Sequence, residues 1–140
     1  MMRDYPLNIC NLSSNVIAKI PPKLATNFNQ ITELNLSFNK ISALPEEISQ
    51  CRQLLNVDIS HNSFISLPNC VLKLPKITEI NAKKNFIAEI DVEDASKSLE
   101  SLNLEENPLT RTCQNNLSLI LTFKIHMTSR ELEEWEDLSI

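Results

Sequence analysis

The 140-residue chain contains no glycine, where an average protein carries about 7 %. No glycine-rich phosphate loop can therefore be built, and the common nucleotide-binding fingerprints are excluded. Every turn must also be made without the one residue that enters left-handed backbone freely. The many Asn residues, which tolerate that region, and the seven Pro residues, which preset φ, are the expected substitutes. Cysteine is sparse: Cys10, Cys51, Cys70 and Cys113 stand singly, with no C-x-x-C pair. That spacing reads as free thiols, buried or partly buried, rather than as a disulfide framework or a zinc site. No metal and no cofactor is expected. No stretch approaches the roughly 20 apolar residues of a membrane helix. Met1 to Asn8 holds Arg3, Asp4 and Pro6 and no apolar run, so no signal peptide is read there. The formal net charge of −5 is a poor match for nucleic acid or an anionic membrane.

What the chain does contain is a repeat. Asn15, Asn39, Asn62, Asn85 and Asn107 are spaced by 24, 23, 23 and 22 residues. Eight positions before them stand Leu7, Ile31, Leu54, Ile77 and Leu99, and five before them Cys10, Leu34, Val57, Ile80 and Leu102. Three before are Leu12, Leu36, Ile59, Ala82 and Leu104; two after are Ile17, Ile41, Phe64, Ile87 and Leu109. Five after, Ile20, Leu44, Leu67 and Ile90 keep the column and Thr112 breaks it. Pro21, Pro45 and Pro68 follow that column in the first three copies.

The pattern L-x-x-L-x-L-x-x-N-x-L, from Leu7 to Thr112, resembles the leucine-rich repeats, in their intracellular 23-residue form with L-x-x-L-P. The resemblance implies an α/β fold: a right-handed solenoid with short parallel strands on its concave face and short helices, 3-10 turns or loops on its convex face. One domain is expected over residues 1–140, with repeats at 7–30, 31–53, 54–76, 77–98 and 99–121 and a C-terminal cap at 114–140. Each repeat supplies a strand of alternating sides, such as Glu33 to Leu36, whose apolar face only a neighbouring repeat can bury. The Asn at the strand's end is expected to turn inward and satisfy backbone groups. Pro should open the convex segment, with Leu24, Ile48 and Val71 packing it on the core. The fourth repeat lacks the Pro and reads Ile90-Asp91-Val92-Glu93-Asp94, which predicts a different convex turn.

At the C-terminus, Leu117, Leu119, Leu121, Phe123, Ile125 and Met127 alternate with mostly polar residues, the period of a strand with one buried face that would continue the sheet. Thr128-Ser129-Arg130-Glu131 is a capping box, opening an acidic helix in which Trp135 would cover the core's end. The disulfides of extracellular caps are absent, since Cys113 stands alone. A cytoplasmic, unsecreted protein is therefore expected, with the nucleus as the other reading.

No catalytic machinery stands out. His61 lies three residues after Asp58, a spacing that suggests a base and its orienter, but no motif places a nucleophile. The Asn-x-Ser sequons at Asn11, Asn35 and Asn116 read as chance in an Asn-rich chain. The expected function is non-catalytic: a monomeric scaffold or adaptor that binds another protein on its concave sheet, with neither nucleic acid nor membrane as direct partner. The contact residues are expected to be Asn35, Asp58, Asn81 and Asn103 from the strands, with Phe38, His61, Lys83, Lys84 and Glu105 at the strand ends. Phe38 reads as the one large apolar residue facing outward, an anchor for an interface. The rival readings are a ribonucleoprotein-associated adaptor and a regulatory subunit docking an enzyme such as a phosphatase.

Overall fold

The computed structural model describes residues 8–128. Six three-residue strands form one parallel sheet in sequence order: β1 (Ile9–Asn11), β2 (Glu33–Asn35), β3 (Asn56–Asp58), β4 (Glu79–Asn81), β5 (Ser101–Asn103) and β6 (Lys124–His126). The register is strict. The middle residues Cys10, Leu34, Val57, Ile80, Leu102 and Ile125 stand side by side, facing the core. Between strands the chain crosses the other side of the molecule through α1 (Pro22–Thr26), a 3-10 helix (Glu46–Gln50) and α2 (Asn69–Leu72), and later through α3 (Arg111–Leu117). The result is a solenoid whose core is one continuous apolar column, with Leu36, Ile59, Ile41, Phe64 and Ile48 almost wholly buried.

Proline's role in the convex turns is direct. Pro21, Pro45 and Pro68 sit at the N-cap of their helices with φ of −64, −68 and −61°, the angle their rings impose. Ile48 and Val71 then fill the core as expected, but Leu24 does not: it is exposed, and Ala25 is the buried residue of α1. The first Asn-to-Asn spacing is the longest, and the extra residue shifts the helix face by one position. In the fourth repeat no helix forms. Asp91 instead accepts a bond from the Glu93 amide at 2.9 Å, an Asx turn, and Val92 is the side chain buried there.

The C-terminal segment departs from the expected long strand. Leu117 ends α3, Leu119 and Leu121 are exposed, and only Lys124–His126 is extended, pairing with β5. Thr110 caps α3 by accepting the Cys113 amide at 3.1 Å, so a helix wins over the period-two pattern. Thr128 accepts the Glu106 amide through its hydroxyl at 2.7 Å. Leu7, the rest of the capping box and Trp135 lie outside the described residues.

The repeat asparagines turn inward. Asn62 donates through Nδ2 to the carbonyls of Ile59 (3.1 Å) and Ser60 (3.0 Å) in its own turn and of Leu36 (2.9 Å) in the previous one. Its Oδ1 accepts the Ile41 amide at 3.0 Å. Asn39, Asn85 and Asn107 repeat this arrangement, whereas Asn15, which is exposed, reaches only Leu12 and Ser13 among the described residues. Because burial leaves peptide groups no water, Asn62→Leu should orphan one amide and weaken several carbonyls, costing about 3–5 kcal/mol. Asn15→Leu should cost less than about 1 kcal/mol, since water can replace both of its bonds. Urea denaturation of the two variants tests that ranking.

The cysteines are free: Cys51 and Cys113 are buried, Cys10 and Cys70 half-buried. Burial raises the thiols of Cys10 and Cys51. Burial, with the nearby Glu46 carboxylate, pushes Cys70 from an ordinary 9.0 to about 11. A raised folded-state value means that the fold favours the protonated thiol. Its contribution is fully present below pH 9 and is lost as pH climbs from there through about 11. Chemical denaturation at a series of alkaline pH values should therefore show stability falling across that window, less steeply in Cys70→Ala.

Candidate functional site

The sheet's open face is built from the first and third residues of each strand, because side chains alternate and the middle ones face the core. The third position carries Asn11, Asn35, Asp58, Asn81, Asn103 and His126, in register across the sheet. The expected strand contacts Asn35, Asp58, Asn81 and Asn103 thus do form one row, all half-buried. They are not simply waiting for a partner. Each turns Oδ1 back onto the amide two residues on: Asn35 to Ser37 at 3.0 Å, Asp58 to Ser60 at 2.9 Å, Asn81 to Lys83 at 3.0 Å and Asn103 to Glu105 at 2.9 Å. Ser37 and Ser60 add their hydroxyls to the same oxygens, at 2.7 and 2.6 Å. These serines are buried. What remains free of intrachain bonds, among the described residues, is the Nδ2 of each Asn and the Oδ2 of Asp58.

The first position of each strand was absent from the expected site, although the period of two puts it on the same face. It carries Ile9, Glu33, Asn56, Glu79, Ser101 and Lys124 beside the Asn row. The members of the two rows from Glu33 and Asn35 to Ser101 and His126 line a shallow open groove of about 410 Å3, with Ile9, Asn11 and Lys124 outside it. Glu33, Asp58 and Glu79 are its carboxylates, and among the described residues neither Lys nor Arg lines it. The Asn56 amide donates to Glu33 at 3.3 Å, and among the described residues none of the three acids forms a salt bridge.

The strand-end residues belong to the rim. Ser14, Phe38, His61, Lys84 and Glu106, each just before a repeat Asn, all take left-handed backbone with φ between 55 and 58°. The turn substitutes for glycine are therefore not the asparagines, as expected, but the residues preceding them. Two of these meet: the Phe38 and His61 rings stack with centroids 4.1 Å apart and planes 14° apart, leaving Phe38 54 % exposed. Phe38 is not the lone outward apolar residue. Phe86 is 60 % exposed and, with His61 and Pro108, lines a second groove of about 640 Å3. Phe86 lies between buried Asn85 and buried Ile87, so its outward direction was readable from alternation. Lys83 reaches Glu106 at 3.4 Å, an ion pair exposed enough to be worth little. Lys84 is exposed and Glu105 half-buried.

The Asp58 and His61 spacing does not become a catalytic pair in this geometry. Asp58 spends its bonded oxygen on Ser60, and His61 turns its Nδ1 into a buried position without a hydrogen-bond partner. The base-and-orienter pair is not formed. Among the described residues no three His, Cys, Asp or Glu side chains converge as metal ligands, and no helix is long and apolar enough to cross a membrane.

Comparison with known proteins places this geometry in a family context. The family model described as leucine rich repeat matches residues 6–64. The chain is 32 % identical over 111 residues to leucine-rich repeat serine/threonine-protein kinase 1 of Mus musculus, which covers 71 % of this chain and 6 % of that protein. It is 29 % identical over 134 residues to PH domain leucine-rich repeat-containing protein phosphatase 1 of Homo sapiens, covering 92 % of this chain and 8 % of that one. The chain thus spans only a small fraction of the curated relatives it matches. Among solved structures, a leucine-rich-repeat protein of Leptospira interrogans superposes with a TM-score of 0.74 at 28 % identity, over 83 % of this chain and 30 % of that chain. An internalin of Listeria monocytogenes gives 0.67 at 24 % identity, over 86 % and 36 %, a likeness of fold alone.

The double use of the Asn row has a measurable consequence. Asp58→Asn keeps the oxygen that receives Ser60 and should leave stability within about 0.5 kcal/mol. Asp58→Ala removes both bonds and orphans the buried Ser60 groups, costing about 1–3 kcal/mol. Thermal unfolding of the pair tests whether this position holds up the turn.

Proposed function

The chain belongs to the leucine-rich-repeat family, and from that premise we propose that it is a non-catalytic scaffold or adaptor, binding a partner protein as a monomer on its concave sheet. The observation that carries the reading is the row of unpaired amide donors at Asn35, Asn81 and Asn103, beside the free oxygen of Asp58. Backbone carbonyls and amides of a partner chain are the groups such a row suits. Phe38 and His61 would supply the flat apolar contact at the rim, with Lys83, Lys84 and Glu105 as its polar border. Proteins of this fold as a class serve as interaction modules, which supports the general role and leaves the partner open.

A second reading, a regulatory surface docked beside an enzyme, draws on the relatives, which include a kinase and a phosphatase. The catalytic activities of those much longer proteins do not transfer to a chain that matches so little of them. A ribonucleoprotein adaptor is disfavoured by the acids on the concave face, which repel phosphate. The four free thiols suit a reducing compartment, and we assign the protein to the cytoplasm or nucleus.

Affinity capture from a cell extract, followed by mass spectrometry, tests the proposal. Phe38→Ala combined with Asn81→Arg should remove the specific partner, while the convex-side Arg52→Glu should not. If capture is the same for all three proteins, the concave face is not the binding surface.

A further inference from the structure

We infer that the segment held by the concave face is basic: a stretch of partner chain bearing arginines that lie over Glu33, Asp58 and Glu79, an inference that rests on the concave-face reading above. The three carboxylates come from the adjacent strands β2, β3 and β4. Neighbouring strands lie about 4.8 Å apart, so the outer two are about 10 Å apart and all three share one local field. Ordinarily such acids on a folded surface are offset by interleaved lysines. Here, among the described residues, neither Lys nor Arg lines the groove; Lys124 stands beyond it at the end of the first-position row, two strands from Glu79, and the Lys83–Glu106 ion pair also lies outside it. Their hydrogen bonds are to neutral groups only: Asp58 accepts the Ser60 amide and hydroxyl, and Glu33 accepts the Asn56 amide, so no cation offsets the mutual repulsion among the described residues. A cationic segment would relieve it, and complementary charge would also steer its approach.

Two further features narrow the occupant. The free Nδ2 groups of Asn35 and Asn81 flank Asp58 and donate only, so they suit the carbonyl oxygens of an extended backbone laid across the strands. Independently, the Phe38–His61 stack forms an aromatic platform at the rim, with Phe38 more than half exposed. A guanidinium both stacks on such a ring and forks onto a carboxylate, whereas an ammonium does neither as well. The surface therefore selects arginine over lysine.

The test uses the full chain and fluorescein-labelled, acetylated and amidated eight-residue peptides that alternate serine with arginine, lysine or glutamate. Fluorescence anisotropy at low and moderate salt reads binding. The arginine peptide should bind, more weakly as salt rises. The combined Glu33→Gln, Asp58→Asn and Glu79→Gln variant should lose about tenfold or more in affinity. A charge-matched convex triple, Glu46→Gln, Glu47→Gln and Glu93→Gln, should change it by less than about twofold. The lysine peptide should bind more weakly than the arginine peptide, and Phe38→Ala should shrink that difference. Equal losses from the two triples would reduce the effect to net charge and overturn the inference, as would tighter binding of the glutamate peptide. If the arginine peptide fails to bind while the combined Phe38→Ala and Asn81→Arg variant still blocks partner capture, the basic segment falls and the concave reading stands. If the peptide depends on the acidic triple but capture ignores that combined variant, the concave reading of the cellular partner falls instead.

Discussion

The structure depends on one interaction: the inward amide of the repeat asparagine. A solenoid of three-residue strands leaves the peptide groups at each strand's end facing neither a long ladder nor water. Asn39, Asn62, Asn85 and Asn107 answer both needs with one planar group, donating to carbonyls of their own and the previous turn and accepting an amide of the previous turn. No apolar side chain can do this, and Asp would bring a buried charge without donors. The leucine columns supply most of the apolar burial, but the amide sets the pitch at which they stack.

Turning that side chain inward bends the backbone just before it. The five residues preceding the repeat asparagines all take left-handed backbone, and in a chain without glycine each carries a side chain there. The cost is on the order of 1 kcal/mol apiece, offset by the amide network that enforces the turn. The geometry also projects those side chains outward at the rim, in register from one repeat to the next. Phe38 and His61 stack for this reason: a folding constraint, repeated every 23 residues, has lined up two rings.

The division between what the residues announce and what they conceal follows from the same physics. The columns around each Asn were legible because the core tolerates only apolar side chains at fixed offsets. The concave row at Asn35, Asp58, Asn81 and Asn103 was legible by subtraction, and its companion row at Glu33, Asn56 and Glu79 was equally readable from the period of two. Leu24 was misplaced because the offset of Ile48 and Val71 from their prolines was carried onto the first repeat, whose added residue rotates a short helix. The alternation from Leu117 to Met127 misled for another reason. Period two describes a strand only when the backbone has no better option, and the Thr110 cap offers a helix to the first of those residues. The Asx bonds of the concave row were hidden altogether, since Asn and Asp signal a polar surface and a local turn equally well.

That ambiguity separates fold from function within a single residue. The turns after the first five strands each use one oxygen at the third position, so Asn and Asp serve the fold alike there. Position 58 carries Asp where Asn11, Asn35, Asn81 and Asn103 carry Asn, and the backbone there differs in nothing that requires it. A carboxylate chosen between Glu33 and Glu79 adds repulsion to the folded protein without adding a bond that the amide could not make. Such a choice is consistent with a charge placed for something outside the chain. The fold thereby supplies a rigid, evenly spaced row whose charge can be varied at small cost in stability, and the pattern written there is the part of the molecule that folding leaves free.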